Sequence, residues 1–296
     1  MLDTQGHRGA RGLLPENTLP AFGRAIEIGV TTLELDCGMT KDGVVVVSHD
    51  TALNPDITRE TNGRWLESRG PLIHELTYAQ LAHYDVGRIK PGSDYARRFP
   101  LQQPVDGARI PRLADVFALA VPADVRFNIE TKLSPSHPEE TASPEDFVAV
   151  LLAEIRAASI VERVAIQSFY WRMLDVVRAS DSRIKTAALT AEQDWVDNIA
   201  RAAPASAWTA PHHVSAHAGS IPRTAQAAGA AVWSPYFAET SAALVKEAHA
   251  LGLKVVVWTV NEESDMRRMI DYGVDAILSD YPDLLCRVAA ATPRGR

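Results

Sequence analysis

The sequence predicts one α/β domain, residues 1–296, folded as a (β/α)8 barrel with a small insertion after the second strand. Two observations lead to this prediction. Short β-branched segments alternate with helical segments over most of the chain, and the short connections between them indicate parallel βα units. The segments include eight strands, which is the number that closes such a barrel. An open doubly wound sheet and, from the length alone, two small domains are the alternatives.

The first helix follows a very short N-terminal strand and a loop. Asn17 or Thr18 can cap its N-terminus, and Pro20 is tolerated in its first turn. The helix runs to about Ile28 and ends at Gly29, because glycine readily takes the left-handed conformation found at helix C-termini. A second strand is expected directly after it.

The second strand, residues 31–37, carries two acidic side chains. Side chains two positions apart on a strand point to the same face, so Glu34 and Asp36 lie roughly 6.5–7 Å apart along it and can share one cation. A turn and a short buried run follow, and they return His49 towards the acidic pair. This segment is the first candidate for a functional site.

Residues 51–111 break the alternation and predict an insertion subdomain of about that extent. The segment is rich in turn-forming residues, and only residues 76–84 have the pattern of a helix. So long an irregular stretch in a compact domain is usually functional. A wandering surface loop is the alternative.

Regular alternation resumes with a helix that ends near Ala120. Further strands are predicted at residues 125–130, 164–168, 184–189, 231–234, 254–259 and 275–279. Further helices are predicted at about 144–158, 170–180, 192–203, 221–228, 241–251 and 262–272, with a last one after Pro282. In a closed barrel, functional residues collect at the C-terminal ends of the strands.

Composition limits the possible functions. The chain has 46% hydrophobic and 23% charged residues, which is typical of a soluble globular protein. No run of about 18 apolar residues is present, so no transmembrane segment is expected. A net charge of -7 argues against nucleic acid as a partner but permits a small phosphorylated molecule in a locally basic pocket. Cys37 and Cys286 are predicted to be separate thiols, and the oligomeric state has no sequence signal.

The start of the chain bears on the compartment. No basic and apolar signal segment precedes His7, yet the first strand begins near residue 3, as it would if an export signal had been removed. We therefore expect an exported or periplasmic protein, with a cytoplasmic location as the alternative.

A third carboxylate and an ammonium close the next barrel strand. Glu130 and Lys132 share one face by strand alternation. Three carboxylates at one barrel mouth repel each other unless a cation binds, and Ca²⁺ and Mg²⁺ prefer such oxygen ligands. The alternative is that the acids pair with Arg8, Arg11 and Lys132 without a metal.

Two histidines near these acids suggest acid-base chemistry. Alone, His7 or His49 would more often be an ordinary hydrogen-bonded histidine, but beside a carboxylate cluster the pair fits in-line phosphoryl transfer. We predict His7 as the base and His49 as the acid of the first step. Arg8 could contact phosphate with two hydrogen bonds, and Lys132 could supply a point charge.

Other residues have weaker functional signals. Glu16 and Asn17 support the site or simply cap and brace the loop, and Asp50 can orient His49. Phe169 and Trp258, at strand ends, could form an apolar wall for an alcohol, or pack in the core. The histidines of one later loop are expected to be exposed loop residues instead of a second metal site. They are His212, His213 and His217.

Several ordered motifs occur at compatible spacing. They are His7-Arg8-Gly9, Pro15-Glu16-Asn17-Thr18, Glu34-Leu35-Asp36, Thr40-Lys41-Asp42-Gly43 and His49-Asp50, followed by 257–261, 273–277 and 279–282 near the end. Together they resemble the glycerophosphodiester phosphodiesterase family over nearly the whole chain. The resemblance implies a TIM barrel with an insertion domain, where Thr61-Asn62-Gly63 matches a family motif. It also implies a divalent metal on Glu34, Asp36 and Glu130.

The resemblance implies metal-dependent hydrolysis of glycerophosphodiesters to glycerol 3-phosphate and an alcohol such as choline or ethanolamine. One divalent cation, Ca²⁺ or Mg²⁺, would be the cofactor. A glycerol hydroxyl could attack first to give a cyclic diester, or water could attack directly. A lysophospholipase D or sphingomyelinase-D-like enzyme is the alternative within this chemistry. A non-catalytic phosphate-binding barrel and a metal-dependent aldolase or isomerase are alternatives outside it.

Overall fold

Strand pairing closes the sheet into a barrel. The computed structural model describes residues 2–292. Its strands are β1 (Asp3–Gly6), β2 (Thr32–Met39), β3 (Val45–Val47), β4 (Arg126–Thr131), β5 (Val164–Ser168), β6 (Lys185–Thr190), β7 (Glu192–Gln193), β8 (Val196–Asp197), β9 (Val232–Pro235), β10 (Lys254–Val257) and β11 (Ala276–Ser279). Its α-helices are α1 (Leu19–Ile28), α2 (Tyr78–Leu81), α3 (Asp94–Arg98), α4 (Leu113–Ala120), α5 (Pro144–Ala157), α6 (Trp171–Ser180), α7 (Ile221–Ala227), α8 (Ala242–Ala250), α9 (Glu263–Tyr272) and α10 (Pro282–Ala291).

Eight of these strands are parallel neighbours. They pair in the order β1, β2, β4, β5, β6, β9, β10 and β11, and β1 also pairs with β11, which closes the ring. At the closure, Gly6 lies opposite Ser279 on one side and Leu33 on the other. The predicted (β/α)8 barrel is therefore confirmed, and the open sheet is excluded.

The first helix has the predicted bounds and the predicted end signals. The hydroxyl of Thr18 accepts a hydrogen bond from the backbone N–H of Ala21, so Thr18 is the cap. Gly29 takes the left-handed conformation, with φ of 91°, and its N–H bonds the last carbonyl groups of the helix. This helix packs its buried residues, among them Phe22, in the core between the sheet and the outer helices.

The inside of the barrel is divided in two. Small apolar side chains from β6, β9, β10 and β11 form one cluster, and they are Ala187, Val232, Val256 and Ala276. The other half is polar. The Asn128 side chain donates to the amide oxygens of Gln5 at 2.9 Å and Gln167 at 3.0 Å. The barrel mouth above therefore has a polar side at β1, β2, β4 and β5 and an apolar side opposite.

The segment 51–111 differs from the prediction in its helices. The predicted helix 76–84 is shorter, Tyr78–Leu81, because a Thr77–Gln80 capping box starts it and its backbone turns away at once. A second helix, α3, was not predicted because its five residues carry no periodic signal. Buried apolar residues give this segment its own small core with Val46, and they are Leu53, Ile73, Leu81, Val86 and Ile110. Its status as a subdomain stays a prediction.

The predicted helix at 192–203 is wrong. The chain instead forms the antiparallel hairpin of β7 and β8 followed by turns. The Asp197 carboxylate accepts from the N–H groups of Ile199 and Ala200, and buried Asn198 bonds the backbone of Ala191 and Leu189. Such local bonds compete with helical hydrogen bonding.

Three smaller findings concern His213, the two cysteines and the helix lengths. His213 is buried and bonds the Ser215 hydroxyl through Nδ1 at 2.8 Å, so the expectation of an exposed side chain is wrong for it. Cys37 and Cys286 are both free thiols, as expected. Within residues 2–292, no helix combines the length and the hydropathy that crossing a bilayer requires.

Candidate active site

One cavity of about 1050 Å³ opens at the C-terminal ends of the barrel strands. Most of the predicted site residues line it, and they are His7, Arg8, Glu16, Glu34, His49, Asp50, Glu130, Lys132, Phe169 and Trp258. Asn17 and Asp36 are buried beside this wall, where the Asn17 amide donates to Asp36 Oδ2 at 2.9 Å. The fold thus brings all the predicted site residues to one place, while their roles stay predictions.

Three carboxylates form a compact buried cluster. Glu34 and Asp36 come from β2, and Glu130 lies opposite Asp36 on β4. One oxygen from each acid lies within 4.8 Å of the others. The backbone N–H of Arg8 donates to Glu34 Oε2 at 3.0 Å, and Gln167 donates to Glu34 Oε1 at 2.9 Å. These bonds fix Glu34 in place at the top of the polar half of the barrel.

The electrostatics of the cluster favour a bound cation. Burial and the charges of Asp36 and Glu130 raise the pKa of Glu34 well above its ordinary value. Although burial opposes it, the charge of Arg8 holds the pKa of Asp36 below its ordinary value. Among the described residues, Asp36 Oδ1 is buried without a hydrogen-bond partner. A buried carboxylate oxygen that accepts no hydrogen bond, next to two further acids, fits the oxygen ligation that Ca²⁺ or Mg²⁺ requires.

Two basic groups contact the cluster. Arg8 bonds Glu16 Oε1 through Nη1 at 2.6 Å and lies 3.1 Å from Asp36 Oδ2 through Nε. Lys132 Nζ lies 2.6 Å from Glu130 Oε1 and 3.7 Å from Asp36 Oδ1. Despite burial, these carboxylates raise the pKa of Lys132, so its ammonium stays charged at the cavity wall.

His7 follows β1 and is held on both sides. Its Nδ1 lies 2.7 Å from Asp280 Oδ1, and its Nε2 lies 3.9 Å from Glu34 Oε2. Burial and the charge of Arg11 lower the pKa of His7 to about 3, so the ring is neutral at pH 7. A neutral ring that donates Nδ1–H to Asp280 leaves Nε2 as a proton acceptor towards the cavity.

Asp280 collects four donors from different parts of the chain. Its Oδ1 accepts from His7 and from Arg11 Nε at 2.7 Å, and its Oδ2 accepts from Arg11 Nη2 at 3.0 Å and Asn261 Nδ2 at 2.8 Å. Asp280 and Gln167 lie at C-terminal strand ends, where functional residues of a barrel are expected, but no role was predicted for either, and none was predicted for Asn261. The one available signal was position, because Asp280 directly follows the last barrel strand.

His49 sits in a more open environment. It follows β3, its side chain is 33% exposed, and its Nδ1 lies 2.8 Å from Asp50 Oδ1. Asn54 donates to the other oxygen of Asp50 at 2.8 Å. Although burial opposes it, the hydrogen bond from His49 lowers the pKa of Asp50, so an ionised carboxylate orients the ring. The two histidines therefore differ in burial but share the histidine–carboxylate arrangement.

Comparison with known proteins identifies the family of this chain. The sequence model of the Glycerophosphoryl diester phosphodiesterase family matches residues 7–284. The chain belongs to this family. A glycerophosphodiester phosphodiesterase from Caldanaerobacter subterraneus is 30% identical over 283 residues, 94% of each chain. A crystal structure from Silicibacter pomeroyi, assigned to the same family, is 35% identical with a TM-score of 0.87 and covers 98% of this chain and 94% of its own.

A human relative named lysophospholipase D is 25% identical over 288 residues, 94% of this chain and 83% of its own. The predicted resemblance to the glycerophosphodiester phosphodiesterase family is thus confirmed, and the chain is an enzyme of the phosphoric diester hydrolase class.

On the apolar side of the mouth, four rings that pack against one another are here named the aromatic wall: Phe169, Trp195, Tyr236 and Trp258. Trp258 packs edge-to-face on Phe169, with ring centroids 5.4 Å apart. Trp195 lies 5.6 Å from Tyr236 and 6.0 Å from Trp258. Trp195 was missed because it lies in the segment predicted as a helix.

The segment 51–111 braces the opposite side of the mouth. Tyr95 of α3 donates a hydrogen bond to Glu16, which in turn holds Arg8. The guanidinium of Arg11 lies 4.7 Å above the ring of Phe99, which caps α3. This segment therefore positions two arginines of the first loop.

Proposed function

We propose that this chain hydrolyses glycerophosphodiesters to glycerol 3-phosphate and an alcohol, using His7, His49 and one divalent cation. One observation carries the proposal. A neutral, carboxylate-oriented histidine faces a buried cluster of three acids in a cavity that also holds a second histidine. A diester hydrolase needs this combination because it must bind an anion, remove one proton and supply another.

Glu34, Asp36 and Glu130 would hold the cation, and its identity is proposed as Ca²⁺ or Mg²⁺ because all the donor atoms are carboxylate oxygens. When bound, the cation neutralises charge on the phosphate oxygens and lowers the barrier to nucleophilic attack. Arg8 and Lys132 border the cluster and would contact the same phosphate. Glu16, Asn17 and Asp50 would support this arrangement by holding Arg8, Asp36 and His49 respectively.

The environment of each histidine supports its role in the first step. His7 is neutral with Nε2 unprotonated, so it takes the proton of the attacking hydroxyl. As that oxygen bonds to phosphorus, the bond from phosphorus to the leaving oxygen breaks. His49 is more exposed, and its Asp50 contact leaves Nε2 to donate a proton to the leaving alcohol.

The nucleophile is either a hydroxyl of the substrate glycerol or water. In the first case a cyclic diester forms, and water then opens it as His49 takes a proton from the water and His7 returns its proton to the glycerol oxygen. In the second case one attack completes the reaction. Phosphorus NMR during turnover separates the two, because only the first route passes through a cyclic phosphate.

A lysophospholipase D reaction is the second candidate. The cavity of about 1050 Å³ is at the upper end of the usual size of roughly 300–1,000 Å³ for small-ligand pockets, so a longer substrate has room. The human relative named lysophospholipase D points the same way. We place the alcohol against Phe169 and Trp258, and either a small alcohol or a lipid could lie there.

The deciding assay is release of glycerol 3-phosphate from glycerophosphocholine, before and after EDTA and with Ca²⁺ or Mg²⁺ restored. We expect EDTA to abolish release and one of the two ions to restore it. His7→Asn and His49→Asn should each lower kcat by about 10²–10⁴-fold. Turnover of lysophosphatidylcholine alone would favour the second candidate, and no release from either substrate would overturn the proposal.

A further inference from the structure

Trp195 lies in the turn between β7 and β8 and lines the cavity. We propose that Trp195 and the aromatic wall form a subsite for a quaternary ammonium group on the substrate alcohol. This inference rests on the proposed diester hydrolysis, and it narrows the substrate class to diesters whose alcohol ends in a trimethylammonium group. Its basis is the placement of Trp195, the chemistry of the wall and the charge at its rim.

Trp195 is held out at the cavity by a braced support. Its side chain is among the large apolar groups that the structure leaves exposed, at 61%. Arg201 makes two hydrogen bonds of 2.8 Å to the Glu192 carboxylate at the hairpin base. Glu239 accepts from the Glu192 N–H at 2.8 Å and from the Gln193 amide at 2.6 Å. A hairpin fixed at its base presents an exposed indole in a defined position, where its exposure has no folding benefit.

Most of the wall lies across the mouth from the phosphate site, and Phe169, after β5, joins it to the β4 side. Its rings follow β5, β9 and β10 or belong to the hairpin after β6, whereas the acid cluster belongs to β2 and β4. A phosphate held at the acids and His7 therefore directs one arm of the diester across the mouth towards Trp195 and Trp258.

The chemistry of the wall determines which chemical group at the end of that arm it can bind. Ring faces attract cations within about 6 Å of their centroids, and tryptophan attracts them most strongly. The described residues that line this side include no carboxylate, so a primary ammonium would lose water without a matching acceptor. A trimethylammonium group has no N–H to satisfy. The nearby hairpin residues Asp194 and Asp197 are exposed, which makes the rim negative and favours a cation over an acyl chain.

The experiment compares glycerophosphocholine with its neutral isostere, the 3,3-dimethylbutyl diester, and with glycerophosphoethanolamine. The variants are Trp195→Leu, which removes the ring, and Trp195→Phe, which keeps one. Leu119→Ala is the control, since Leu119 is another exposed apolar side chain, on α4. We expect the unaltered chain to prefer the choline ester over the isostere in kcat/KM by about tenfold. Trp195→Leu should remove most of this preference, Trp195→Phe should keep part, and the control should keep it all.

The inference would be overturned if the unaltered chain turned over the choline ester and its neutral isostere with equal kcat/KM. It would also be overturned if Trp195→Leu lowered kcat/KM equally for both esters. If Trp195→Leu instead loses activity only on lysophosphatidylcholine, the wall binds an acyl chain. The proposed function fails separately, through absence of turnover with every diester. In that event choline binding is measured instead, by the quenching of tryptophan fluorescence. The subsite is refuted if choline does not quench the fluorescence of the unaltered chain, or if it quenches that of Trp195→Leu equally.

Discussion

Asp280→Asn tests the role of the carboxylate that orients His7. The Asp280 oxygens accept four hydrogen bonds, and an amide offers only one oxygen in their place. If the amide NH₂ faces His7, the ring must give up its Nδ1 proton, and Nε2 is no longer a base. If the amide NH₂ faces the other way, it meets the N–H groups of Arg11 Nη2 and Asn261 Nδ2, which then have no acceptor. In both cases the buried charge of Arg11 loses its counter-ion.

These losses set the expected magnitudes. Removing a carboxylate that orients a catalytic histidine lowers kcat by about 10²–10⁴-fold. Leaving a buried arginine unpaired lowers the free energy of unfolding by about 3–5 kcal/mol. For a chain of this size that corresponds to a fall in Tm of roughly 5–8 °C. Glycerol 3-phosphate release at 15 °C, with circular dichroism to count folded molecules, measures both effects.

Two further variants separate orientation from stability. Asp181→Asn makes the same chemical change at a buried carboxylate that holds Arg156 and Arg183, between α6 and β6, so kcat per folded molecule should not change. The double change Arg11→Met with Asp280→Asn removes the unpaired charge and should recover stability but not rate. A folded Asp280→Asn enzyme with kcat within threefold of the unaltered chain would refute the reasoning.

Three other predictions follow from the site and the insertion. Although burial opposes it, Arg11 holds the pKa of Asp280 well below its usual range. The contribution of Asp280 to stability is therefore present above pH of about 4 and is lost as the pH falls. In acid unfolding followed by fluorescence, the free energy of unfolding should fall less steeply with pH in Asp280→Asn than in the unaltered chain. Because the pKa of Glu34 is raised, protons compete with the proposed cation for its carboxylate. Calorimetry should therefore show weaker binding of Ca²⁺ or Mg²⁺ at pH 5 than at pH 8. Equal affinities at the two pH values would contradict this prediction. Leu81→Ala removes a fully buried side chain from the small core of the insertion, so urea unfolding should show a loss of about 2–5 kcal/mol, and a loss below 1 kcal/mol would count against that core.

Much of the site was predictable because strand alternation is a simple rule. Glu34 and Asp36 share a face because they are two apart, and Glu130 and Lys132 do so for the same reason. The strand-end rule for barrels then brought these groups to one mouth. No knowledge of tertiary contacts was needed for either step.

The features that the sequence did not reveal depend on contacts between distant segments. The pairing of Asp280 with His7 requires the closure of β1 against β11, and nothing local marks it. Tyr95 and Phe99 belong to a helix too short to show periodicity. The segment that carries Trp195 was predicted as a helix because the hydrophobic pattern does not show the local hydrogen bonds that Asp197 accepts from the N–H groups of Ile199 and Ala200, directly after the hairpin.

The separation of 273 residues between His7 and Asp280 has a consequence for biosynthesis. While the ribosome is still producing the chain, β1 has one edge without its neighbour, and His7 lacks the carboxylate that sets its tautomer. With His7 as the proposed base, the site would be complete only after β11 and Asp280 have emerged and docked, late in a vectorial process. Partial products that end before β11 would carry the whole acidic cluster without the carboxylate that orients His7, and we expect them to release no glycerol 3-phosphate.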